Sequence, residues 1–297
     1  MNNLIATSLS SDTASQYSKV WRDFQFFCTA SLGRPFAVTP ESIPLYIAHL
    51  DLKNLQPSTI QSHLSAISFI SQLNNIPDYT GSFKVEKMMK SLHKGSTTVD
   101  QRLPINQALL TDLILNLGSH CDSDYECAMY RAMYSLAYYA MLRAGECTQS
   151  KHVLHIHNIK RIVQTGQCCA IEIHFNSFKN SNCNKAAVPV LQIQKRGGGT
   201  CPVKILDHYL SIRPGIEGPL FISASGIPIT PRLLRVKLKA GVSFLSLVTS
   251  RFNTHSFRIG RATDMLLEGY SESQIRAAGR WRSNAFVKYL RPSNITI

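Results

Sequence analysis

The sequence lacks the features of membrane and secreted proteins. No apolar run approaches the roughly 18 residues that a membrane-spanning helix requires. Residues 1–15 do not place a basic segment before an apolar one, as a secretory signal would. The eight cysteines form no CxxC pair, and several lie within apolar stretches. This pattern argues against a disulfide framework and predicts reduced thiols in the core of a soluble, intracellular protein.

Acidic residues are also scarce. The 297 residues include 18 Asp and Glu against 32 Lys and Arg, for a net charge of +14. Residues 1–100 contain 8 basic and 7 acidic residues (+1), and residues 101–297 contain 24 and 11 (+13). The excess therefore lies in the second part, and a polyanion is its natural partner. The same excess of basic residues would be found if they served only to keep the protein soluble.

The pattern of residues 1–95 predicts a helical domain, because apolar residues recur there at helical spacing. Three helix starts are indicated: a capping box at Thr13, a helix that begins at Thr39 with Pro40 in its first turn, and a capping box at Ser58. A fourth helix is predicted over residues 83–93. Lysines recur along one side of this helix, namely Lys84, Lys87, Lys90 and Lys94. They fit a face that contacts phosphates and equally a solvated face.

Residues 96–105 contain turn formers, polar residues and a proline, and predict a linker to a second domain, 106–297. That domain begins with predicted helices at 107–117 and 125–142, the second nearly all apolar. A three-stranded antiparallel sheet is predicted next, with strands at 155–163, 168–175 and 185–193. Helices are then predicted at about 201–212, 230–240, 257–268, 271–278 and 283–290. The expected fold class is mainly α with a small antiparallel β-sheet.

Three segments of the second domain could carry chemistry. LRAGE places Arg143 at the end of the apolar helix, where a guanidinium needs an anion, either Glu146 or an external phosphate. THSFRIGRATDM places His255 and Arg258 on one face of a helix, able to contact one anionic group. AGRWRSNAFVKYLRP surrounds Tyr289 with basic residues, and a neutral phenol needs such cations or a base to become a nucleophile. Each segment alone fits a structural role as well.

The order of these segments resembles the tyrosine recombinase (phage integrase) family. The resemblance consists of LRxGE, a lysine in a β-hairpin, HSFR, and GRW with a tyrosine ten residues after the glycine. RATDM, CPVKILDHYLSIRP and the helical N-terminal part support it, so that it covers residues 13–292. The wording GRWRSNAFVKY is similar to recombinases of eukaryotic mobile elements, such as the Crypton and DIRS-like groups. The resemblance implies a helical, SAM-like core-binding domain followed by an α+β catalytic domain.

The resemblance also implies a set of catalytic residues. Arg143 and Arg258 match the arginines that clamp the scissile phosphate, and Tyr289 matches the nucleophile. His255 matches the histidine assigned to proton transfer or phosphate contact. Lys179 matches the lysine that protonates the departing 5′ oxygen. For that role Lys185 is the alternative if the strand register differs.

One position departs from the family pattern. Many members carry His or Trp directly after the glycine, whereas here Gly279 is followed by Arg280 and then Trp281. Either Arg280 donates to the phosphate, or a small helix offset lets Trp281 do so through its indole N–H. Trp281 is the preferred assignment.

The family's chemistry implies a 3′-phosphotyrosine link and a free 5′ hydroxyl, formed without a metal or other cofactor. The implied partner is double-stranded DNA, bound by a homo-oligomer that is a tetramer. The expected location is the nucleus in a eukaryotic host and the cytoplasm otherwise. Alternatives are a domesticated DNA-binding protein without strand-exchange activity and a type IB topoisomerase.

Two other patterns indicate no separate site. His152, His155 and His157 could suggest a metal, but no carboxylate or cysteine lies at a convincing spacing, and a polar strand face is the better interpretation. The glycines at 197–199 lack the GK[ST] of a phosphate-binding loop and predict a flexible turn.

Overall fold

The computed structural model describes residues 8–31, 33, 35–95, 100–175, 190–281 and 283–291. The chain divides into two compact units, Met1–Asp100 and Gln101–Ile297. Helices predominate, and a three-stranded antiparallel sheet lies in the second unit, so the predicted fold class is confirmed. None of the helices in these ranges has the length and apolar character needed to cross a membrane.

In its described part, the first unit contains four α-helices around an apolar core. They are α1 (Ser11–Phe26), α2 (Ser42–Leu52), α3 (Pro57–Leu73) and α4 (Phe83–Gly95), with a π-helical turn, Phe27–Ser31, after α1. Aromatic rings meet in the core, where the ring of Phe24 lies 5.0 Å from that of Tyr46. The four lysines of α4 are exposed, whereas Val85 and Met89 of the same helix are buried. This exposure is compatible with both interpretations of the lysines.

The helix starts predicted for this unit were wrong by one to three residues. Ser10 caps α1, its hydroxyl accepting from the Thr13 backbone N–H at 3.3 Å. α3 begins one residue before Ser58, at Pro57, whose missing N–H suits a first helical position. The segment at Thr39 forms a turn that precedes α2. Several residues that can cap or begin a helix lie close together at each start, so the pattern alone does not select one cap.

The second unit is built around one buried helix. Its helices are α5 (Gln107–Leu115), α6 (Asp124–Tyr139), α7 (Ala144–Cys147), α8 (Pro202–Ile212), α9 (Pro231–Phe244), α10 (His255–Leu267) and α11 (Glu272–Ala278). Most side chains of α6 are buried, as its apolar sequence predicts. The predicted helix, however, continued to residue 142, whereas α6 ends at Tyr139. The predicted last helix is a 3-10 turn, Asn284–Tyr289.

The sheet has strands β1 (Ile159–Gln164), β2 (Gln167–His174) and β3 (Val190–Gln194) in the order β1-β2-β3. Thr165 and Gly166 both have positive φ, +48° and +73°, and form the two-residue turn between β1 and β2, the geometry that matches strand twist. β1 begins later than predicted because Ile156–Asn158 forms a 3-10 turn, so His155 and His157 do not share a strand face. The predicted start of the third strand lies outside the described residues.

Residues 101–107, which we call the strap, pack within the second unit. The strap runs from Gln101 to the first residue of α5, and Ile105 in its middle is fully buried. Residues 96–99 of the predicted linker lie outside the described residues. The described end of that linker is therefore part of the structure that surrounds α10.

Candidate active site

A sharp backbone turn after α6 presents Arg143. Met141 has a positive φ of +47°, a conformation that side chains with a Cβ seldom adopt. Arg143 then takes an extended conformation directly before α7. Its backbone N–H donates to Glu146 Oε2 at 2.9 Å, and its Nη1 lies 3.2 Å from Glu146 Oε1. The Arg143 side chain keeps 20% of its surface exposed, whereas that of Glu146 is 1% exposed.

Helix α10 supplies His255 and Arg258 from its first turn. Arg258 is 1% exposed, and its Nη2 donates to the Gly279 carbonyl at 2.9 Å. Its Nη1 donates to the carbonyl of Met141. The guanidinium of Arg258 therefore connects the turn after α6 with the end of α11. Both carbonyls supply partial negative charge in a place from which water is excluded.

Arg280 enters the same cluster from the end of α11. Its Nη2 donates to Glu146 Oε2 at 2.7 Å, and its Nη1 donates to the Ala140 carbonyl at 3.0 Å. The Arg280 guanidinium also lies 3.9 Å from the centre of the Phe175 ring. Only 6% of this side chain is exposed. Arg280 is thus held by protein groups on several sides.

Positive charge exceeds negative charge in this cluster, because it sets three guanidinium groups against the carboxylate of Glu146, which pairs with Arg143 and Arg280. Burial and the nearby Arg143 and Arg280 lower the pKa of Arg258. Burial also lowers the pKa of Arg280, although Glu146 opposes this effect. Guanidinium groups nevertheless stay protonated at neutral pH. A desolvated cluster of this kind is stabilised by a further anion.

The cluster also has donors to spare. The Nε atoms of Arg258 and Arg280 are buried, and neither has a hydrogen-bond partner among the described residues. Buried donors without a partner are costly, by about 1–3 kcal/mol each. An anion that reached them would remove part of this penalty.

Tyr289 lies beside the cluster, in the 3-10 turn Asn284–Tyr289. Its half-buried ring is 5.0 Å from the ring of Trp281 and 6.0 Å from that of His255. The guanidinium carbon of Arg258 lies 5.8 Å from the centre of the Tyr289 ring and 4.6 Å from that of Trp281. Buried Phe286 packs against Trp281 and anchors the turn, with ring centres 6.2 Å apart. The phenol is therefore placed next to the excess of positive charge.

The structure brings together most of the residues that the sequence singles out. They are Arg143, His255, Arg258, Trp281 and Tyr289. Lys179 and its alternative, Lys185, lie outside the described residues. The catalytic role of each residue stays a prediction.

Sequence reasoning missed the part that Gly279 plays. Its carbonyl accepts from Arg258, and a Cβ at this position would come within 1.8 Å of the Trp281 ring. The available signal was the glycine directly before Arg280 and Trp281, since glycine permits a close approach. The pairing of Arg280 with Glu146 was also missed, because the two are distant in the sequence.

No family model matches the chain. The recombinase Cre of Escherichia phage P1 is 23% identical, over 92% of this chain and 81% of the phage protein. The XerH site-specific recombinase, in a post-cleavage complex with palindromic difH substrate, aligns with a TM-score of 0.65 at 14% identity, over 94% of this chain and 75% of XerH. A lambda integrase dimer bound to a COC′ core site aligns with a TM-score of 0.64 at 13% identity, over 100% of this chain and 76% of the integrase.

The Tn1549 transposon integrase in complex with circular intermediate DNA has the same fold, with a TM-score of 0.61 at 14% identity, over 98% of this chain and 94% of the integrase. The structural matches establish the fold, and the match to Cre adds a sequence relationship that extends over both units. In its fold, and through Cre in its sequence, the chain is similar to the tyrosine recombinases.

Proposed function

We propose that this protein is a site-specific recombinase or integrase that cleaves and rejoins double-stranded DNA through Tyr289. The observation that carries the proposal is the position of the Tyr289 ring beside a buried cluster of guanidinium groups with excess positive charge. A DNA phosphodiester supplies the anion that such a cluster lacks. The sequence relationship to Cre supports the same function.

In this proposal the Tyr289 oxygen attacks the phosphorus, and the bond between phosphorus and the 5′ oxygen breaks. Arg143 and Arg258 stabilise the charge that builds on the nonbridging oxygens, an effect that is large where water is excluded. His255, at the start of α10, takes up or relays the phenol proton. Lys179 donates a proton to the departing 5′ oxygen, which is otherwise a poor leaving group. The product is a 3′-phosphotyrosine, and attack by a 5′ hydroxyl reverses the step.

We assign the position after the glycine to Trp281 rather than Arg280. The ring of Trp281 lies close to both groups, 4.6 Å from the guanidinium carbon of Arg258 and 5.0 Å from the ring of Tyr289. Arg280 instead donates to Glu146 and to main-chain carbonyls, and it is almost fully buried. These contacts support a role for Arg280 in holding Glu146, and with it Arg143.

The assembly and location are part of the proposal. The lambda integrase match is a dimer on DNA, and the XerH and Tn1549 matches are also complexes with DNA. We propose that this chain likewise acts as a homo-oligomer on DNA, a tetramer during strand exchange. It would act in the nucleus of a eukaryotic host and in the cytoplasm otherwise.

The first test is Tyr289→Phe on nicked duplexes that trap the covalent intermediate. Incubating the wild-type protein with a pool of randomised nicked duplexes and sequencing the protein-linked DNA identifies a cognate site. On that site, we expect wild type to form the adduct in the presence of EDTA, because the chemistry assigned to these side chains needs no metal. Tyr289→Phe should bind the site with unchanged affinity and form no adduct.

The matched control is Tyr270→Phe, since Tyr270 lies in the exposed loop after α10. This variant should form the adduct at the wild-type rate. An adduct formed by Tyr289→Phe would assign the nucleophile to another residue. If wild type bound DNA but linked to none of it, the alternative of a DNA-binding protein without strand exchange would stand.

A further inference from the structure

The strap is hydrogen-bonded along the length of α10 and the turn before it. The Leu103 N–H donates to the Arg251 carbonyl at 2.8 Å, and the Ile105 N–H donates to the Ser256 carbonyl at 2.9 Å. The Gln107 N–H donates to Asp264 Oδ2 at 2.8 Å. Alternate residues of an extended segment point to the same side, so one edge of the strap makes all three bonds.

Gly260 allows the strap to cross α10 at close range. A Cβ at this position would lie 1.7 Å from the carbonyl oxygen of Ile105 and 2.3 Å from its carbonyl carbon. The obstacle is backbone rather than the end of a flexible side chain. Any residue larger than glycine at position 260 must therefore separate the strap from the helix.

Asp264 joins the strap and α10 to a third element, α6. Besides the Gln107 N–H, its Oδ2 accepts a hydrogen bond from the Tyr138 hydroxyl. The guanidinium of Arg261 lies 5.7 Å from the centre of the Tyr138 ring and donates to Glu268 at 2.8 Å. Tyr138 is fully buried, so the hydroxyl depends on this carboxylate for its partner.

These contacts surround the residues assigned to catalysis. His255 directly precedes Ser256, and Arg258 lies between the strap contacts at Ser256 and Gly260. The Met141 carbonyl, which accepts from Arg258, follows Tyr138 by three residues. His255 and Arg258 belong to the same helix, so a rotation of α10 about its axis would move both side chains together relative to Tyr289. Successive residues of a helix are about 100° apart around that axis, so the direction of each side chain depends on this rotation.

We propose that Gly260 and Asp264 are positioning residues for DNA cleavage, which hold α10 against the strap so that His255 and Arg258 face Tyr289. The proposal rests on the cleavage function proposed above. It assigns to the strap a role in setting the geometry of the chemical step, in addition to its place in the fold. Neither Gly260 nor Asp264 touches the reacting groups, so each acts through α10.

The test measures single-turnover adduct formation on the trapped cognate site at saturating protein, together with the DNA dissociation constant. Gly260→Ala and Asp264→Ala should lower the rate constant by about 10-fold to 100-fold, the effect of a misplacement near 1 Å. Their dissociation constants should stay within about twofold of wild type, because affinity for DNA is summed over many phosphate contacts and the scissile phosphate supplies only one of them. Tyr138→Phe, which removes a single hydroxyl, should lower the rate by a smaller factor.

Two variants separate positioning from general destabilisation. Asp264→Asn keeps an oxygen that accepts from the Gln107 N–H, so it should recover most of the rate that Asp264→Ala loses. Gly241→Ala is the matched control in α9, because its Cβ would meet side-chain atoms, at 3.1 Å from Leu113 and 3.3 Å from His120. Side chains can move aside, and this variant should cleave at nearly the wild-type rate.

The outcomes are distinct. Gly260→Ala and Asp264→Ala could both react with the wild-type rate constant but give a lower final yield of adduct. That result would show that fewer molecules are folded, and it would overturn the positioning role. The absence of any adduct with wild type would instead count against the cleavage function itself. If neither variant folds, hydrogen exchange of the wild-type protein provides the test. The backbone amides of Ile105 and Gln107 should be protected to the same degree as the amides of α10. Rapid exchange of the Ile105 and Gln107 amides would overturn the proposal.

Discussion

At the scale of single residues, Glu146 organises the candidate site. The sequence left open whether Arg143 binds Glu146 or an external phosphate, and the structure makes the two compatible. Arg143 donates to Glu146 yet keeps a fifth of its side chain exposed, while Arg280 approaches the other oxygen of the carboxylate from a buried position. The carboxylate thus offsets part of the positive charge and leaves Arg143 accessible to an anion.

Glu146→Gln tests this arrangement through stability. Removing one partner of a buried ion pair leaves charge without compensation, so we expect the free energy of unfolding to fall by about 3 kcal/mol. Urea unfolding with and without duplex DNA measures the change, and DNA should stabilise the variant more than it stabilises wild type. Glu172→Gln is the matched control, since Glu172 pairs with Lys160, whose side chain is 68% exposed. It should change stability by less than about 1 kcal/mol, and equal losses in the two variants would contradict the account.

At the scale of secondary-structure elements, local interactions determine where a helix ends and how the following turn is held. Asp78, in the loop after α3, illustrates this. Its Oδ2 accepts from Gln72 of α3 at 3.0 Å, and its Oδ1 accepts from the Thr80 backbone N–H at 3.0 Å. The carboxylate therefore ties the loop back to the end of the helix.

Asp78→Asn should change how stability depends on pH. Burial acts to raise the pKa of Asp78, but hydrogen bonds from Ser68, Thr80 and Gln72 outweigh it and lower the pKa to about 2. Because the folded pKa lies below the unfolded value of about 4, this stabilisation is present above about pH 4 and is lost as the pH falls towards 2.

The measurement is the difference in Tm between wild type and Asp78→Asn from pH 6 to pH 2. The difference should be constant above about pH 4, with wild type higher, and should shrink between about pH 4 and 2. Asp51→Asn, at an exposed position in α2, serves as the control for a carboxylate lost elsewhere in the same unit. A difference that stayed constant down to pH 2 would contradict the assigned hydrogen bonds.

At the scale of the whole molecule, charge is the dominant property. The net charge of +14 lies almost entirely in residues 101–297, the region that contains the candidate site. A protein that neutralises DNA phosphates releases the counterions that were bound to them. As salt is added, this release gains less entropy, and the affinity for nucleic acid falls. A protein that binds DNA mainly through phosphate contacts should show this dependence on any duplex.

Binding to a duplex of random sequence should therefore weaken on the order of 10³-fold between about 50 and 200 mM salt. The same titration decides the role of the exposed lysines of α4. If they contact phosphates, Lys90→Gln should reduce the slope of log K against log salt by about 1. Glu86→Gln, on the same helix, should not reduce it. An affinity that hardly changed with salt would refute the phosphate-contact account, and an unchanged slope in Lys90→Gln would make the α4 lysines a solvated face.

The amino-acid sequence by itself determined the class of fold and the resemblance to tyrosine recombinases. Helical and strand periodicities report which residues seek burial, so α6, α10 and the antiparallel sheet were predicted in type, and the ordered motifs were predicted as one site. Boundaries were less accurate, because several adjacent residues can cap a helix equally well. Local signals also did not anticipate the 3-10 turn that carries Tyr289, whose position depends on Phe286 packing under Trp281.

Only the tertiary structure decided how the site is assembled. The left-handed turn at Met141, the pairing of Arg280 with Glu146 and the crossing of the strap at Gly260 each join residues that are remote in the chain or depend on what packs around them. Periodicity along one segment carries no information about such contacts. They follow from the requirement that every buried charge and backbone group find a partner once the elements have packed.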